Sequence, residues 1–482
     1  MADTDLEVHV SEAVVVGSGP NGLAAAITLA RAGVSVTVLE AEDVPGGGAR
    51  TSEHTLPGLL HDDCSAFHPS GAISPFFAEL DLASHGLEWL WPEVDLAHPL
   101  ADGRAGVLSR DMERTVASLG VDGERWRRVF EPLAARADDL VADVLRPLLR
   151  VPAHPLLLAG FGARAALPAT LAARRFADDP ARALFTGVAA HAFGRLDRPL
   201  SASVGMLLTT LGHRVGWPVA RGGSGAIAAA LVSVLEQHGG RVLTGVRVDD
   251  LDQTRDVTGR APDVLLLDTA PEAVLRLAHD RLSPRVRRQL QRFRYGPAAF
   301  KVDFAVRGDV PWTNPEVRRA GTVHLGGTAA QVAAAEAATA RGVMPKEPFV
   351  LVGQQYLADP SRARDGVNPV WAYAHVPHGW AGDASAAVTA QIEKYAPGFT
   401  ELVEATFVRD VRGLTAHNAN YVGGDIGAGA NTAWQLVARP RPALDPYRVA
   451  AGIYLCSSAT PPGGGVHGMN GYHAARSALS RL

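Results

Sequence analysis

Runs of apolar residues bounded by glycine divide the start of the chain into strand, helix and strand. Ala13-Val14-Val15-Val16 reads as a buried parallel strand, Leu23 to Arg31 as a helix ended by Gly33, and Val34 to Leu39 as a second strand closed by Glu40. Later the helix after Gly225, with Ser224 placed to cap it, ends at Gly239-Gly240. A strand is expected over Arg241 to Val248, where Val242, Thr244, Val246 and Val248 alternate with Leu243, Gly245 and Arg247. Asp263 to Asp268 and Gly452 to Cys456 read as two more buried strands, the last leading through a glycine-rich turn to a helix over Tyr472 to Leu479. Between them Arg110 to Ala177 repeats Leu and Ala against Arg-rich faces, a helical lobe, while Ala298 to Val306 and Pro348 to Gln355 read as strands. A short helix, Phe76 to Leu82, opens that second region.

The alternation predicts an α/β class, α+β overall. A Rossmann-like nucleotide-binding domain, discontinuous in sequence, takes residues 1–75, 215–275 and 441–482. A substrate-binding domain with a mixed sheet and a helical lobe takes residues 76–214 and 276–440.

The chemistry begins where the first strand turns into the first helix, at Gly17-Ser18-Gly19-Pro20-Asn21-Gly22. Gly17 permits the tight turn, Gly19 the close approach of a pyrophosphate, and Gly22 the contact between helix and strand. The helix N-terminus offers unpaired N–H groups and a partial positive charge to phosphates. Glu40, 18 residues after Gly22, stands where a carboxylate accepts hydrogen bonds from an adenosine ribose, with Ala41 beside it. Strand, turn, helix and acid together make a dinucleotide site; a glycine motif without them is weak.

Gly46-Gly47-Gly48 then form a loop whose backbone passes close to something, and Arg50 follows as a phosphate clamp. The C-terminal turn, Gly463-Gly464-Gly465-Val466-His467-Gly468-Met469-Asn470-Gly471, repeats the order of strand, glycine turn and helix N-terminus. It suits an electron-rich ring edge or a developing anion. His467 is the candidate base there, and it equally serves to shape the pocket. Lys301 admits two readings: a lysine assisting oxygen chemistry, or the partner of Asp303 on one strand face. His375 and His378 form an HxxH with no third ligand in sequence, so no metal is expected.

Composition narrows the class. The length of 482 residues implies two or three domains, and 47% hydrophobic with 20% charged residues implies an ample core. A formal charge of −4 gives no footprint for nucleic acid. Cys64 and Cys456 form no disulfide framework or zinc motif, consistent with a reducing, cytoplasmic compartment. The acidic start, Met1 to Ser11, lacks the pattern of a secretion signal. The nearest approach to a membrane span, Val151 to Ala173, is interrupted by His154, Pro155, Arg164 and Pro168. It reads either as an internal helix or as a segment lying at a membrane surface before Arg174-Arg175.

VVVGSGPNGLAAAITLARAGVSVTVLE, PGGGART, RGGSGAIAAALVSVLEQHGGRV and GIYLCSSATPPGGGVHGMNGYHAA together resemble the phytoene desaturase-like FAD-dependent oxidoreductases. That family stands within the group that includes amine oxidases and protoporphyrinogen oxidase, and the resemblance spans nearly the whole chain. It implies one FAD, with Gly17, Gly19, Pro20, Asn21 and Gly22 at the diphosphate and Glu40 and Ala41 at the adenosine ribose. It further implies Gly47, Gly48 and Arg50 at the diphosphate and ribityl side, and Val246 at the adenine. Thr460 joins the cofactor set, and Gly465, Val466, His467, Gly468 and Met469 border the isoalloxazine. The implied activity is hydride removal from an apolar, polyisoprenoid or carotenoid-like substrate, with reoxidation by oxygen, a quinone or another acceptor. A flavin amine oxidase and a flavin-free prenyl carrier of the same fold are the alternatives. Substrate identity, reaction direction and oligomeric state are not readable from the sequence.

Overall fold

The computed structural model describes residues 10–482, so most of the acidic opening segment lies outside the described residues. Five consecutive residues, Glu12–Val16, pair in parallel with Ser35–Leu39 on one side and Val264–Leu267 on the other. Burial on both faces explains why these strands are unbroken apolar runs rather than alternating ones. The six-stranded sheet runs in the order Arg448–Ala450, Ile453–Leu455, Val264–Leu267, Glu12–Val16, Ser35–Leu39, Arg241–Leu243. Its edge strand Arg448–Ala450 is antiparallel.

The expected strand from Arg241 to Val248 stops at Leu243. Gly245 adopts φ +69°, and the N–H groups of Gly245 and Val246 turn back to the carbonyls of Glu42 and Glu40. Ser224 also departs from expectation. It sits at the N-cap of Gly225–Gln237 without a capping bond, its hydroxyl donating to Ser65 O at 2.6 Å instead.

A seven-stranded sheet forms the second layer system, ordered Val403–Arg409, Ala298–Arg307, Val367–Val376, Val350–Gly353, Ala320–Leu325, Val94–Pro99, Ala105–Leu108. It is antiparallel except where Ala320–Leu325 runs parallel to Val94–Pro99. The helices between Met112 and Val215 cover one side of it. The stretch from Val151 to Ala173 becomes two helices, Pro155–Ala165 and Ala169–Ala173. The predicted helix at Phe76 is shorter, Pro75–Ala78, and Phe76 and Phe77 pack into the core of the six-stranded sheet. Among the described residues no helix is long and apolar enough to cross a membrane.

Candidate functional site: a cleft from the glycine turn to an aromatic chamber

One cavity of about 820 Å³ begins at the glycine turn and ends among side chains of the second lobe. At its start the first strand stops, Gly17 bends at φ +99°, and Pro20–Ala30 begins with a proline that has no N–H to leave unpaired. A Cβ on Gly17 would lie 2.9 Å from Asp268 O, and one on Gly22 would run into Gly17 O, so neither tolerates a side chain without movement.

The second glycine run lies directly against the first. Gly46 N–H donates to Ser18 O, a Cβ on Gly47 would stand 3.1 Å from the Gly19 Cα, and one on Gly48 would meet the Tyr421 hydroxyl. The floor of the cleft is therefore backbone rather than side chain. Among the described residues Asn21 Oδ1 is buried there without a partner, and the Asn21 N–H has none. A floor of backbone amides, a following carboxylate and orphaned polar atoms fit a dinucleotide bearing a diphosphate.

Glu40 is buried at the end of the second strand, its Oε2 accepting from Ser18 N–H at 2.9 Å and Ser18 Oγ at 2.5 Å. Oε1 accepts from Glu42 N–H at 3.0 Å. Ala41 and Val246 line the same end. Arg50 lines the cleft with its guanidinium held in place: Nε donates to Gly47 O at 2.9 Å and Nη2 to His417 O at 2.7 Å.

Behind Arg50 stands a cluster that sequence reasoning missed. Asp63 receives a 2.5 Å bond from His54 and lies 3.4 Å from Arg409 and 3.6 Å from His417. Burial alone would raise its pKa, but the His54 hydrogen bond and the charge of Arg409 hold the carboxyl well below the usual range. Burial, with Arg409 and Arg50 nearby, pushes His417 down to about 3, so it is neutral and acts as a hydrogen-bonding spacer. These residues are separated by up to 363 positions, and no local spacing marks them.

The C-terminal turn closes the other side. Gly465 and Val466 line the cleft, as does His467, while Thr460, Gly468 and Met469 do not. The reasons are specific. The Thr460 hydroxyl is turned inward to Ser457 O at 2.8 Å, Gly468 faces Ala24, Phe76 and Phe77, and Met469 N–H donates to His467 Nδ1 at 3.1 Å. Gly22 likewise faces Gly17 rather than the cleft. Burial, with His473 nearby, lowers the His467 pKa to about 4, so the ring is neutral, its Nδ1 occupied in capping the last helix. The last two residues of the predicted turn, given no role from the sequence, organise it: Asn470 Nδ2 donates to Thr460 O at 2.8 Å and Gly463 O at 3.2 Å, and a Cβ on Gly471 would collide with Asn21 O.

Lys301 does not line the cavity. It is buried and ion-paired with Asp303, which also faces His61. His375 bonds to Glu336 at 2.8 Å and His378 to Gly296 O at 2.9 Å, and no metal-binding group occurs among the described residues. Cys64 and Cys456 are free thiols.

Beyond the turns the cavity is walled by Leu148, Phe161, Phe193, Trp217, Trp371 and Tyr373. Its acidic lining side chains, Glu40, Glu42 and Asp268, all lie at the glycine-turn end. His191 sits in the apolar part, bonded to His324 at 3.0 Å and kept neutral by burial, its pKa near 3.

Comparison with known proteins agrees with this architecture. The NAD(P)-binding Rossmann-like domain family matches residues 15–80. A pyridine nucleotide-disulfide oxidoreductase domain-containing protein 2 of Mus musculus is 27% identical, covering 96% of this chain and 92% of its own length. A hydroxyneurosporene desaturase of Cereibacter sphaeroides is 31% identical over 54% of each chain. The chain is thus similar in sequence to oxidoreductases that include a desaturase, and its first segment to the Rossmann-like dinucleotide domain. A putrescine oxidase structure shares the fold with this oxidoreductase, at a TM-score of 0.62 and 17% identity over 98% of both chains.

Proposed function

We propose that the protein is an FAD-dependent oxidoreductase that removes hydride from an apolar, polyisoprenoid or carotenoid-like substrate. The observation that carries this reading is the single cavity joining an amide-floored cleft to an apolar aromatic chamber. Bound along the cleft, FAD would supply a two-electron hydride acceptor, reoxidised by oxygen, a quinone or another acceptor. The chain's own residues then bind and orient. The turns at Gly17 to Gly22 and Gly46 to Gly48 leave room for the diphosphate, Glu40 stands at the ribose, and Arg50 is held over the cleft by Gly47 O and His417. Val246 supplies backbone at the adenine end, and Gly465 to His467 border the isoalloxazine.

The neutral His467 presents its Nε2 side toward Gly465, while Nδ1 accepts from Met469 N–H. An imidazole engaged in this way donates at Nε2 and shapes the loop rather than taking a substrate proton. The apolar walls around Phe161, Phe193 and Trp371 exclude water from the reacting bond. An amine substrate is disfavoured because no carboxylate lines the chamber end to pair with an ammonium.

Substrate entry would be from a membrane surface. Val151 and Leu156 are 89% and 88% exposed, next to Leu148, Leu158 and Phe161 of the cavity wall, and Arg146 and Arg150 flank them. The lipid contact is tested by sedimentation with anionic vesicles: the wild type co-sediments, and Val151→Asp/Leu156→Asp remains in the supernatant with its melting temperature unchanged.

The visible spectrum of the purified protein tests the cofactor. Flavin bands, FAD on release and anaerobic bleaching by an apolar polyene are expected. A colourless protein that takes up no FAD sinks the reading and favours a lipid carrier.

A further inference from the structure

Asp268, at the end of Val264–Leu267, turns its carboxylate into the glycine turn instead of leaving the turn's amides free. Oδ2 accepts from Gly22 N–H at 2.9 Å, and Gly19 stands against the same carboxylate, where a Cβ on it would run into Oδ2. Ser18 N–H is taken by Glu40, Pro20 has none, and Gly17 N–H goes to Leu39 O. Among the described residues Asn21 N–H has no hydrogen-bond partner. Two carboxylates hold the amides that a diphosphate needs, and a doubly charged anion added beside them would face its own sign of charge.

We propose that Asp268 binds the dinucleotide diphosphate as a neutral acid, donating its carboxyl proton to a phosphate oxygen while keeping the Gly22 N–H. The inference rests on the dinucleotide reading of the turn. When Asp268 is ionised beforehand, the proton comes from hydronium or the buffer acid and forms the carboxyl O–H, which stays intact as it donates the hydrogen bond, so binding consumes one proton per dinucleotide.

The surroundings favour the neutral form. Asp268 is 7% exposed, and burial, with Glu40 adding its charge, pushes its carboxyl up to about 7 against the pull of Gly22 N–H and Gly19 N–H. The buried Cys456 thiol faces it from the last strand, the neutral Asn420 amide meets its backbone at 2.9 Å, and the first helix presents no charged side chain. Among the described residues no Lys, Arg or His forms an ion pair with it. A carboxylate in this place has no counter-charge, and a carboxylic acid has a hydrogen to give.

Calorimetry of FAD binding to the FAD-stripped protein at pH 8, in two buffers of different ionisation enthalpy, counts the protons. About one proton taken up per FAD is expected for the wild type and none for Asp268→Asn, and wild-type Kd should weaken about tenfold per pH unit above pH 7.5 while the variant stays flat. Tight, pH-independent binding by the wild type overturns the proposal and leaves the dinucleotide reading intact. Equal uptake by Asp268→Asn assigns the proton to Glu40 or another group and also overturns it. Absence of FAD binding at every pH between 6 and 9 removes both readings. Asp268→Ser, which also lacks a titrating acid, gives the same comparison where the Asn variant does not fold.

Discussion

Two buried aspartates serve this cleft, Asp268 in its lining and Asp63 behind Arg50, and their environments pull them in opposite directions. Asp63 is 1% exposed with His54, Arg409 and His417 around it, and its carboxyl is held well below the usual range. Asp268 is 7% exposed with Glu40 as its nearest charge, and its carboxyl is raised to about 7. Burial penalises both anions; cations and hydrogen-bond donors decide the sign. The contrast divides the labour of the site. Asp63 is a fixed negative charge that orients the side chains behind Arg50, and Asp268 is an acid whose proton remains available where a diphosphate would lie.

Removing the charged member of that contrast has the largest expected effect. Asp63→Ala leaves Arg409 buried with no carboxylate, and a loss of about 3–5 kcal/mol in urea unfolding is expected. Asp63→Asn, which keeps the shape but not the charge, should recover only part of it. An unfolding midpoint equal to wild type for Asp63→Ala would make the cluster ornamental.

Next comes the turn that Asp268 occupies. Gly22→Ala sets a methyl against Gly17 O, about 3.0 Å from Asp268 Oδ2, and should cost about 1–3 kcal/mol and weaken FAD retention through gel filtration at least tenfold. Retention unchanged in a folded Gly22→Ala protein would mean that the strand and helix separate there at little cost.

The smallest effects are in the pH profile of the FAD-free protein, where the two aspartates act with opposite signs. Asp268 has a folded pKa raised above the ordinary aspartate value of 3.8, so the native state holds the extra proton between pH 3.8 and about 7, and this contribution is lost as pH rises through that window. Asp63 has a lowered folded pKa, so its contribution is present above the unfolded value and lost as pH falls below about 4. Thermal midpoints across pH 3 to 9 should show Asp268→Asn less sensitive than wild type on the neutral limb and Asp63→Asn less sensitive on the acid limb. Identical neutral limbs for wild type and Asp268→Asn would show that Asp268 titrates normally in the folded protein.

Legibility followed distance along the chain. Ala13 to Val16, Val264 to Leu267 and the turn at Gly17 to Gly22 were readable because a buried strand, its turn and the next helix are consecutive in sequence. Ala298–Arg307 was readable for the same reason. The short strands Val94–Pro99 and Ala105–Leu108 were not: they pair with each other, and the first joins the sheet only through Ala320–Leu325, more than 200 residues away. Within the site, Glu40 followed from spacing, while Asp268 read only as the last residue of a strand. His54, Asp63, Arg409 and His417 carried no pattern, since an isolated charged residue in a loop looks the same whether it is solvated or buried against a partner.

By itself the sequence determined the α/β class, the glycine turns and the acid after the second strand, because each depends on backbone conformations and apolar periods within about thirty residues. Only the tertiary structure decided how the turns are filled. Sheet pairing sets Val264–Leu267 beside Glu12–Val16, which delivers Asp268 to the amides of a helix 246 residues earlier. The ionisation of a buried group depends on everything packed around it, and that neighbourhood exists only once the chain has folded.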